Sequence, residues 1–558
     1  MTYYSNELSD TESDQLRHSN TCSHRLSDHM NKINVEYKKS LLTSFFVGML
    51  MIFIAGASQA QQPIFDVVFK QGRVIDPETK LDAIRDVGIT GKKIISVSTE
   101  PLKGKVEIDA KGKILGPGFI DLHVHGVNVP TFWMQAFDGV TTALELEAGG
   151  FPIKKAYANA AKLNLPLNYG FSASWVGARL SVADGIKDLD GSLETATKYF
   201  GWPKWSKLLP PDQSQAVVTL VEQEMLDGGM GIGVVTGYAP DTNREEYVAL
   251  ATLAAKYDVP TYTHLRTKNT YEPNGAVEGF IELLGVAAGT GARMHICHIN
   301  STSLRKIVDV IPLIEKAQGK KLLVTTEAYP FGAGSTVIGA PFLRPENLPQ
   351  VGIKSSDIYY LQTKERIASD TRLSEIRSQD PGGLIVVHYL DEKKPEEMKF
   401  IDTAVLFQDT MIASDAMPFA INGKEIKEEV WPLPEQAFSH PRTAATFTTV
   451  ISRYVREQQS MSLIDVFRRG SLLPANLVAT ASDLAKYKGR IQPGMDADII
   501  VFDLSKVEPR ADYENPRQPS QGMEYVMVNG KFVIRDGNLL KDSRPGEALM
   551  STLKKIPQ

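Results

Sequence analysis

Residues 116–126, which read Gly-Pro-Gly-Phe-Ile-Asp-Leu-His-Val-His-Gly, constrain the fold of this chain most strongly. The Gly-Pro-Gly triplet predicts a turn, and residues 119–124 after it predict a short strand. His123 and His125 lie two residues apart at the end of that strand, so their imidazoles point to one face. Two nitrogens on one face are suited to binding a divalent metal. The alternative is a pair of partly exposed histidines at a strand end.

The rest of the chain alternates apolar strands with helical segments, which is typical of a β/α barrel. Helices are predicted at residues 152–163 and 243–257, where apolar residues recur at helical spacing. The later predicted strands cover residues 140–146, 231–235, 259–264, 293–299, 322–327, 384–388 and 410–413. In such barrels the catalytic groups lie at the C-terminal ends of the strands.

Short alternating strands between residues 64 and 115, and again after residue 489, predict a small β unit built by both ends of the mature chain. We therefore predict an α/β fold, a (β/α)8 TIM-like barrel with a discontinuous β-sandwich. At 558 residues the chain is long enough for both. The predicted domains are a leader with signal peptide (1–60), the N-terminal segment of the sandwich (61–115), the barrel (116–484), and the C-terminal segment of the sandwich with a tail (485–558).

The N-terminal residues predict export. Residues 1–40 are polar and cannot build a core, and the apolar run at 41–55 is too short for an ordinary membrane span. Two lysines precede that run, and Ser-Gln-Ala at 58–60 supplies the small residues of a cleavage site. We expect a mature chain from about Gln61, periplasmic or secreted from a bacterium, without a stable membrane anchor. An uncleaved anchor is the alternative, and Met30 offers a second start.

Charge and cysteine content exclude two classes of protein. The formal net charge is −5, which gives no basic excess for binding nucleic acid. The two cysteines, Cys22 and Cys297, cannot form a disulfide framework. The composition, with 42% hydrophobic and 23% charged residues, is that of a globular protein and leaves the oligomeric state open.

Further metal-binding residue types end later predicted strands. His264, His298 and His388 lie at or just after strand ends, and Asp415 follows the strand at residues 410–413. Chance would place one or two histidines in this way. The ordered set of His-x-His, His, His and Asp resembles the ligand order of the amidohydrolase superfamily, and the lead-in at residues 116–121 resembles its first barrel strand.

Longer motifs resemble one family in this superfamily, the N-acyl-D-amino-acid deacylases, which include D-aminoacylase and N-acyl-D-glutamate deacylase. The resemblance covers roughly residues 64 to 540. Its motifs lie at residues 231–240, 262–266, 329–336, 413–415, 440–447, 473–477 and 489–498. It implies a metal-dependent hydrolase of linear amides, with a small N-acyl amino acid as substrate.

The chain departs from the family on the second barrel strand. There the family has a cysteine ligand, and this chain has Glu145 and Glu147 on one face. Glu147 lies nearer the strand end, so we predict it as the replacement or bridging ligand, with Glu145 as the second choice. An ion pair at the barrel mouth is the alternative. Gly126-Val-Asn stands where the family usually has acidic residues, and Asn300 matches a family lysine. The metal count and the substrate side chain therefore stay open.

The resemblance implies a site for a divalent metal, expected to be one or two Zn²⁺ ions. The predicted ligands are His123, His125, Glu147, His264, His298 and Asp415. The metal would polarise the acyl carbonyl and activate a water molecule. Asp415 would take the proton from this water and pass it to the leaving nitrogen. Its alternative role is that of a helix N-cap.

Four further residues are candidates for binding the substrate carboxylate. They are Arg266, Tyr329, Ser335 and Arg442, because a guanidinium or hydroxyl can donate to a carboxylate. Each is alternatively a structural ion pair or a buried hydroxyl. N-acyl-D-glutamate is one candidate substrate, since Arg266, Arg344 and Arg442 together could meet two carboxylates.

Two other interpretations remain. A cyclic-amide hydrolase of the hydantoinase or dihydroorotase type, or a dipeptidase, usually has a carboxylated lysine as bridging ligand, and the sequence has no lysine at a suitable strand end. A non-catalytic scaffold would be expected to lose its metal ligands first, yet the set is complete.

Overall fold

The computed structural model describes residues 64–202, 204–271 and 274–556. The predicted leader and signal peptide lie outside these residues, so export and cleavage near Gln61 stay predictions. Among the described helices, none is both long and apolar enough to cross a membrane.

The middle of the chain forms an eight-stranded parallel sheet whose strands pair in chain order. A bridge between Val124 and Ala416, just beyond the first and last strands, brings the two ends of this sheet together. The predicted α/β barrel is confirmed. The strands are β1 (Phe119–Asp121), β2 (Val140–Gly150), β3 (Asn168–Ser174), β4 (Ile232–Val235), β5 (Pro260–His264), β6 (Arg293–Ile296), β7 (Val324–Ala328) and β8 (Met411–Ile412).

One predicted barrel strand was wrong and one was missed. Leu384–His388 pairs with Ala333–Val337 and Ile358–Tyr360 in a separate antiparallel sheet. Its place among the eight is taken by β3, Asn-Tyr-Gly-Phe-Ser-Ala-Ser, which is buried throughout. The small and polar residues of β3 hide it from a hydrophobic pattern, although a strand inside a barrel is covered on both faces.

Helices surround the barrel and bury one face each. In Arg244–Tyr257 the buried Tyr247, Leu250, Ala251, Ala254 and Tyr257 recur at three- and four-residue spacing, as an amphipathic helix requires. The other described α-helices of eight or more residues are Val129–Phe137, Ile153–Leu163, Trp175–Ala183, Pro211–Leu226, Ala276–Thr290, Ile307–Gly319, Asp370–Gln379, Pro395–Leu406 and Arg442–Thr449, and the last of these continues into the π-helix Val450–Glu457.

The two ends of the described chain share one nine-stranded sheet, as predicted. Ile499–Phe502 pairs antiparallel with Ile114–Pro117, which joins the C-terminal strands to the N-terminal ones. Apolar residues of both ends, including Phe69 and Tyr525, form a core of their own. The strands are Ile64–Asp76, Leu81–Thr90, Lys93–Ser98, Lys103–Asp109, Ile114–Pro117, Ile499–Phe502, Met523–Val528, Lys531–Arg535 and Asn538–Leu539.

A buried carboxylate ties this sheet to the barrel. Asp498 precedes the strand Ile499–Phe502 and is 3% exposed. Its Oδ2 accepts from Lys488 Nζ at 2.7 Å and from Asn168 Nδ2, on β3, at 3.0 Å. Its Oδ1 accepts from the backbone N–H of Asn529 at 2.6 Å. The network satisfies a buried ammonium and a buried carboxylate together.

Replacing Asp498 by alanine should destabilise the protein strongly. The change leaves Lys488 buried with Asp496 as its remaining ion-pair partner. Removing one partner of a buried pair typically costs about 3–5 kcal/mol. Urea unfolding followed by fluorescence should show this as a lower midpoint. Asp483→Ala removes an exposed aspartate paired with Lys486 and should leave the midpoint almost unchanged. Equal midpoints for both variants would contradict the role of Asp498.

Candidate active site

The six predicted metal ligands lie together at the C-terminal ends of the barrel strands. His123 and His125 follow β1, and Glu147 lies near the end of β2. His264 ends β5, His298 follows β6, and Asp415 follows β8. His125 is partly buried and the other five are buried. The barrel thus brings residues that are far apart in sequence to one mouth, which is where barrel enzymes place their chemistry.

Glu147 lies between two pairs of histidines. Its Oε1 is 3.0 Å from His264 Nδ1 and 2.8 Å from His298 Nε2. Its Oε2 is 3.3 Å from His123 Nε2 and 3.6 Å from His125 Nε2. Burial raises the pKa of Glu147, but His123, His264 and His298 outweigh it and hold this pKa well below its usual range. An ionised carboxylate in this position faces both pairs of histidines and would be able to hold a divalent metal with them.

The imidazoles of His123 and His125 converge on one point. Their Nε2 atoms lie 3.1 Å apart, and Asp415 Oδ1 is 3.5 Å from each. Each Nδ1 meets a carboxylate, that of Glu327 at 2.6 Å and that of Glu145 at 2.8 Å. An Nδ1–H that donates to a carboxylate leaves Nε2 as an acceptor. Several acceptors therefore face one point, and this donor set fits a divalent cation such as Zn²⁺.

The two candidate glutamates of β2 have different surroundings. Glu145 accepts from His125 and from the backbone N–H of Ala148, the latter at 3.3 Å. Glu147 meets the four histidines directly. The geometry therefore favours Glu147 over Glu145 as the predicted metal ligand. Glu145 instead orients His125 through the Nδ1 atom of its ring. The ligand roles themselves stay predictions.

Glu327 and His295 are buried behind the histidines and were missed in the sequence. Glu327, on β7, has Oε1 against His123 Nδ1 and Oε2 3.0 Å from His295 Nε2. His295 Nδ1 is in turn 2.8 Å from Thr325 Oγ1. Burial raises the pKa of Glu327, but both histidines outweigh it and lower this pKa. An acidic residue near the end of an apolar strand was the signal that could have identified it.

Three of the four predicted substrate-binding residues line a cavity of about 140 Å³ above these side chains: Tyr329, Ser335 and Arg442. Arg442 Nη2 donates to Asp415 at 2.8 Å and to the backbone carbonyl of Ser335 at 3.1 Å. Within the described part of the chain, Arg442 Nε and Nη1 and the hydroxyl of Tyr329 have no hydrogen-bond partner. Ser335 Oγ donates to the carbonyl of Ile385 at 2.7 Å.

Arg266, the fourth predicted substrate-binding residue, does not line this cavity. Its Nε is 2.9 Å from Glu282 Oε2, and its Nη1 donates to the carbonyl of Pro240 at 2.8 Å. With Arg344 it lines a second cavity and not the one above the histidines. The structural ion pair that the sequence left as the alternative therefore describes Arg266. Lys268, two residues later, lines the main cavity and gave no signal in the sequence.

Two relatives cover most of the chain. It is 27% identical to N-acyl-D-glutamate deacylase from Alcaligenes xylosoxydans xylosoxydans, over 88% of this chain and 97% of that protein. It is 23% identical to D-aminoacylase from the same organism, over 86% of this chain and 96% of the relative. No family model matches the chain.

Solved structures agree with these relatives. A crystal structure of D-aminoacylase superposes with a TM-score of 0.68 at 21% identity, covering 87% of this chain and 100% of that chain. N-acyl-D-glutamate deacylase from Bordetella bronchiseptica, in complex with zinc and a phosphonate inhibitor, gives 0.65 at 22% identity, covering 88% and 100%. The chain is similar to the N-acyl-D-amino-acid deacylases of the amidohydrolase superfamily. The resemblance found in the sequence is confirmed.

In this chain, Glu327→Gln should weaken metal binding without unfolding the protein. One end of the glutamine amide can only donate, so it cannot accept from both His123 and His295. Loss of such a partner behind a ligating histidine typically lowers metal affinity by about 10–100-fold. Competition with a chromophoric chelator measures the affinity. The control is His388→Ala, because His388 lies in the separate sheet and not among the predicted ligands. Equal affinities in wild type and Glu327→Gln would remove Glu327 from the site.

Proposed function

We propose that the chain is a metal-dependent amide hydrolase that removes the acyl group from N-acyl-D-amino acids. The observation that carries this proposal is the position of Arg442, which lines the cavity and pairs with Asp415 beside the four histidines. A proton-transfer group and a carboxylate-binding group thus adjoin one candidate metal centre. The deacylase relatives support the same reaction class.

The metal expected here is divalent, one or two Zn²⁺ ions, held by the four histidines, Glu147 and Asp415. When bound, it would polarise the acyl carbonyl and lower the pKa of water from about 15.7 towards 7. The side chains of this chain orient the substrate and move protons.

Asp415 is the proposed general base and acid. Burial raises its pKa, but Arg442 and the neighbouring histidines outweigh burial and lower this pKa below its usual value. The carboxylate is therefore ionised and ready to accept a proton from water, which it then donates to the leaving nitrogen. Asp415 has a backbone φ of 53°, a left-handed conformation that aspartate tolerates better than most residues.

Arg442 and Tyr329 are the proposed partners of the substrate α-carboxylate. The guanidinium lies 4.7 Å from the centre of the Tyr329 ring. Its Nε and Nη1 and the Tyr329 hydroxyl are buried without a hydrogen-bond partner within the described residues. A guanidinium and a hydroxyl that both donate to one carboxylate form charge-assisted hydrogen bonds. They would hold the amide nitrogen of the substrate near Asp415.

A substrate panel tests the reaction class. N-acetyl-D-amino acids, their L-enantiomers, hydantoin and dihydroorotate are incubated with the protein and added Zn²⁺ or Mn²⁺. We expect free D-amino acid from the N-acetyl-D compounds. Ring opening of the cyclic amides alone would overturn the proposal in favour of a cyclic-amide hydrolase, and no hydrolysis by a metal-loaded protein would favour a scaffold.

Asp415→Asn should lower kcat by at least about 10²–10⁴-fold, the range typical of general acid–base catalysis. KM should change much less, because the substrate is held by other groups. Metal content, measured by elemental analysis, should stay near that of the wild type, since the amide oxygen keeps one ligand atom. Asp409→Asn, near the surface and paired with Arg468, is the matched control. Complete loss of metal would make Asp415 chiefly a ligand, and near-normal kcat would exclude it from the mechanism.

A further inference from the structure

Lys268 is a buried cation that none of the roles above employs. It is 7% exposed and follows His264 by four residues. Its Nζ donates to the hydroxyl of Tyr389 at 3.0 Å and lies 4.0 Å from the ring centre of Phe342. Within the described part of the chain, no carboxylate lies within ion-pair distance of its Nζ, and Asp415 and Glu147 act on it only from farther away. Because a buried ammonium without a counter-ion is unfavourable, this position is suited to an incoming anion.

Lys268 belongs to the same wall of the cavity as Arg442. Tyr389, its hydrogen-bond partner, adjoins Gly334, where a Cβ would lie 3.1 Å from the Tyr389 ring and 3.4 Å from the Tyr329 hydroxyl. Tyr329 in turn stacks under the Arg442 guanidinium. Tyr329, Arg442, Tyr389 and Lys268 therefore form one continuous part of the cavity wall. Burial lowers the pKa of Lys268 to about 7, although Asp415 and Glu147 act to raise it.

The cavity has cations for one carboxylate only. Among the described residues that line it, Lys268 and Arg442 are the only lysine and arginine. Arg266 and Arg344, the other cations considered for a second carboxylate, line the second cavity, which shares Lys268 and Phe342 with the first but includes neither Arg442 nor Tyr329. An α-carboxylate that contacts both Lys268 and Arg442 would leave neither cation for a second carboxylate.

The rest of the lining is unsuited to a second negative charge. It is largely apolar, with Leu193, Phe200, Leu384 and Met417 among its residues. The carboxylates beside them are Glu194, which already pairs with Lys427 at 2.5 Å, and the largely buried Glu425. An acidic substrate side chain there would meet apolar groups and carboxylates, and both are unfavourable for an anion.

We propose that Lys268 is a specificity-determining residue, which joins Arg442 and Tyr329 in a single anion subsite and thereby selects acyl amino acids with one carboxylate and an uncharged side chain. The inference rests on the proposed deacylase function. It differs from that function in naming the side-chain class, and in assigning a role to a lysine outside the predicted motifs.

The experiment compares kcat and KM of the metal-loaded wild type and Lys268→Met on N-acetyl-D-leucine and N-acetyl-D-glutamate. For the wild type we expect kcat/KM at least about tenfold higher with the leucine derivative. For Lys268→Met we expect KM for N-acetyl-D-leucine to rise about 10–100-fold, which is the contribution of a hydrogen bond to a charged group. Here kcat should change much less, because Lys268 does not touch the reacting bond.

Two controls separate this role from a structural one. Binding of N-acetyl-D-leucinamide, which lacks the negative charge, is measured as competitive inhibition and should be similar in wild type and Lys268→Met. Lys207→Met is the matched variant, because Lys207 lines the second cavity and pairs with Asp241. It should keep the wild-type KM. The thermal midpoint of Lys268→Met should not fall, since a methionine replaces an uncompensated buried charge.

The outcomes distinguish the two proposals. Preference for N-acetyl-D-glutamate, or an unchanged KM in Lys268→Met, overturns this inference and leaves the deacylase function intact. Equal weakening of the leucine and leucinamide derivatives also overturns it, because the effect would then not depend on the carboxylate. If the wild type cleaves no acyl amino acid, the proposed function fails first and this inference fails with it.

Discussion

The carboxylate of Glu147 lies within 3.6 Å of nitrogens from four histidines, and the rest of the site depends on this contact. A buried carboxylate among imidazoles is satisfied only when each nitrogen that faces it carries a proton or shares a cation with it. Glu145 and Glu327 already occupy the Nδ1 atoms of His125 and His123. The nitrogens that face Glu147 therefore need positive charge beside it. Burial lowers the pKa values of His123 and His125, but the surrounding carboxylates outweigh burial and raise them, and a bound cation would supply this charge in place of the protons. The ligand roles of these histidines stay predictions.

This arrangement requires that the first and last strands of the barrel be fixed to each other. Asp121, at the end of β1, accepts from the backbone N–H of His123 at 3.2 Å and from that of Ser414 at 2.9 Å. One carboxylate thus positions the backbone of a predicted ligand and the residue before Asp415. Burial raises the pKa of Asp121 to about 7, so this carboxyl stabilises the closure through its hydrogen bonds more than through charge. The geometry of the metal centre is a consequence of how the barrel closes.

The sequence predicted the fold class, and the strand-end residues that it singled out lie together, for an identifiable reason. His123, His125, His264, His298 and Asp415 lie at strand ends, and parallel strand ends must meet at one edge of the barrel. The sequence did not show which strands belong to the barrel. Leu384–His388 is apolar enough for a barrel strand and β3 is not. Their pairing partners nevertheless place β3 in the barrel and Leu384–His388 outside it. Arg266 could not be placed either, since its partner Glu282 lies on a helix sixteen residues away in sequence.

Asn300 and Lys268 together show how charge is distributed in this cavity. Asn300 stands where the deacylase family has a lysine, and here it is neutral, accepting from the backbone N–H of Tyr329 at 3.4 Å. Lys268 brings a cation to the cavity from the segment after β5 instead. Glu147, at the position of the family's cysteine, offers two oxygen atoms to the histidine pairs. The cavity therefore has its lysine after β5, whereas the residue after β6 that matches the family lysine is neutral. Because a cation attracts an anion towards its own side of a cavity, the carboxylate of a substrate would be drawn towards the segment after β5.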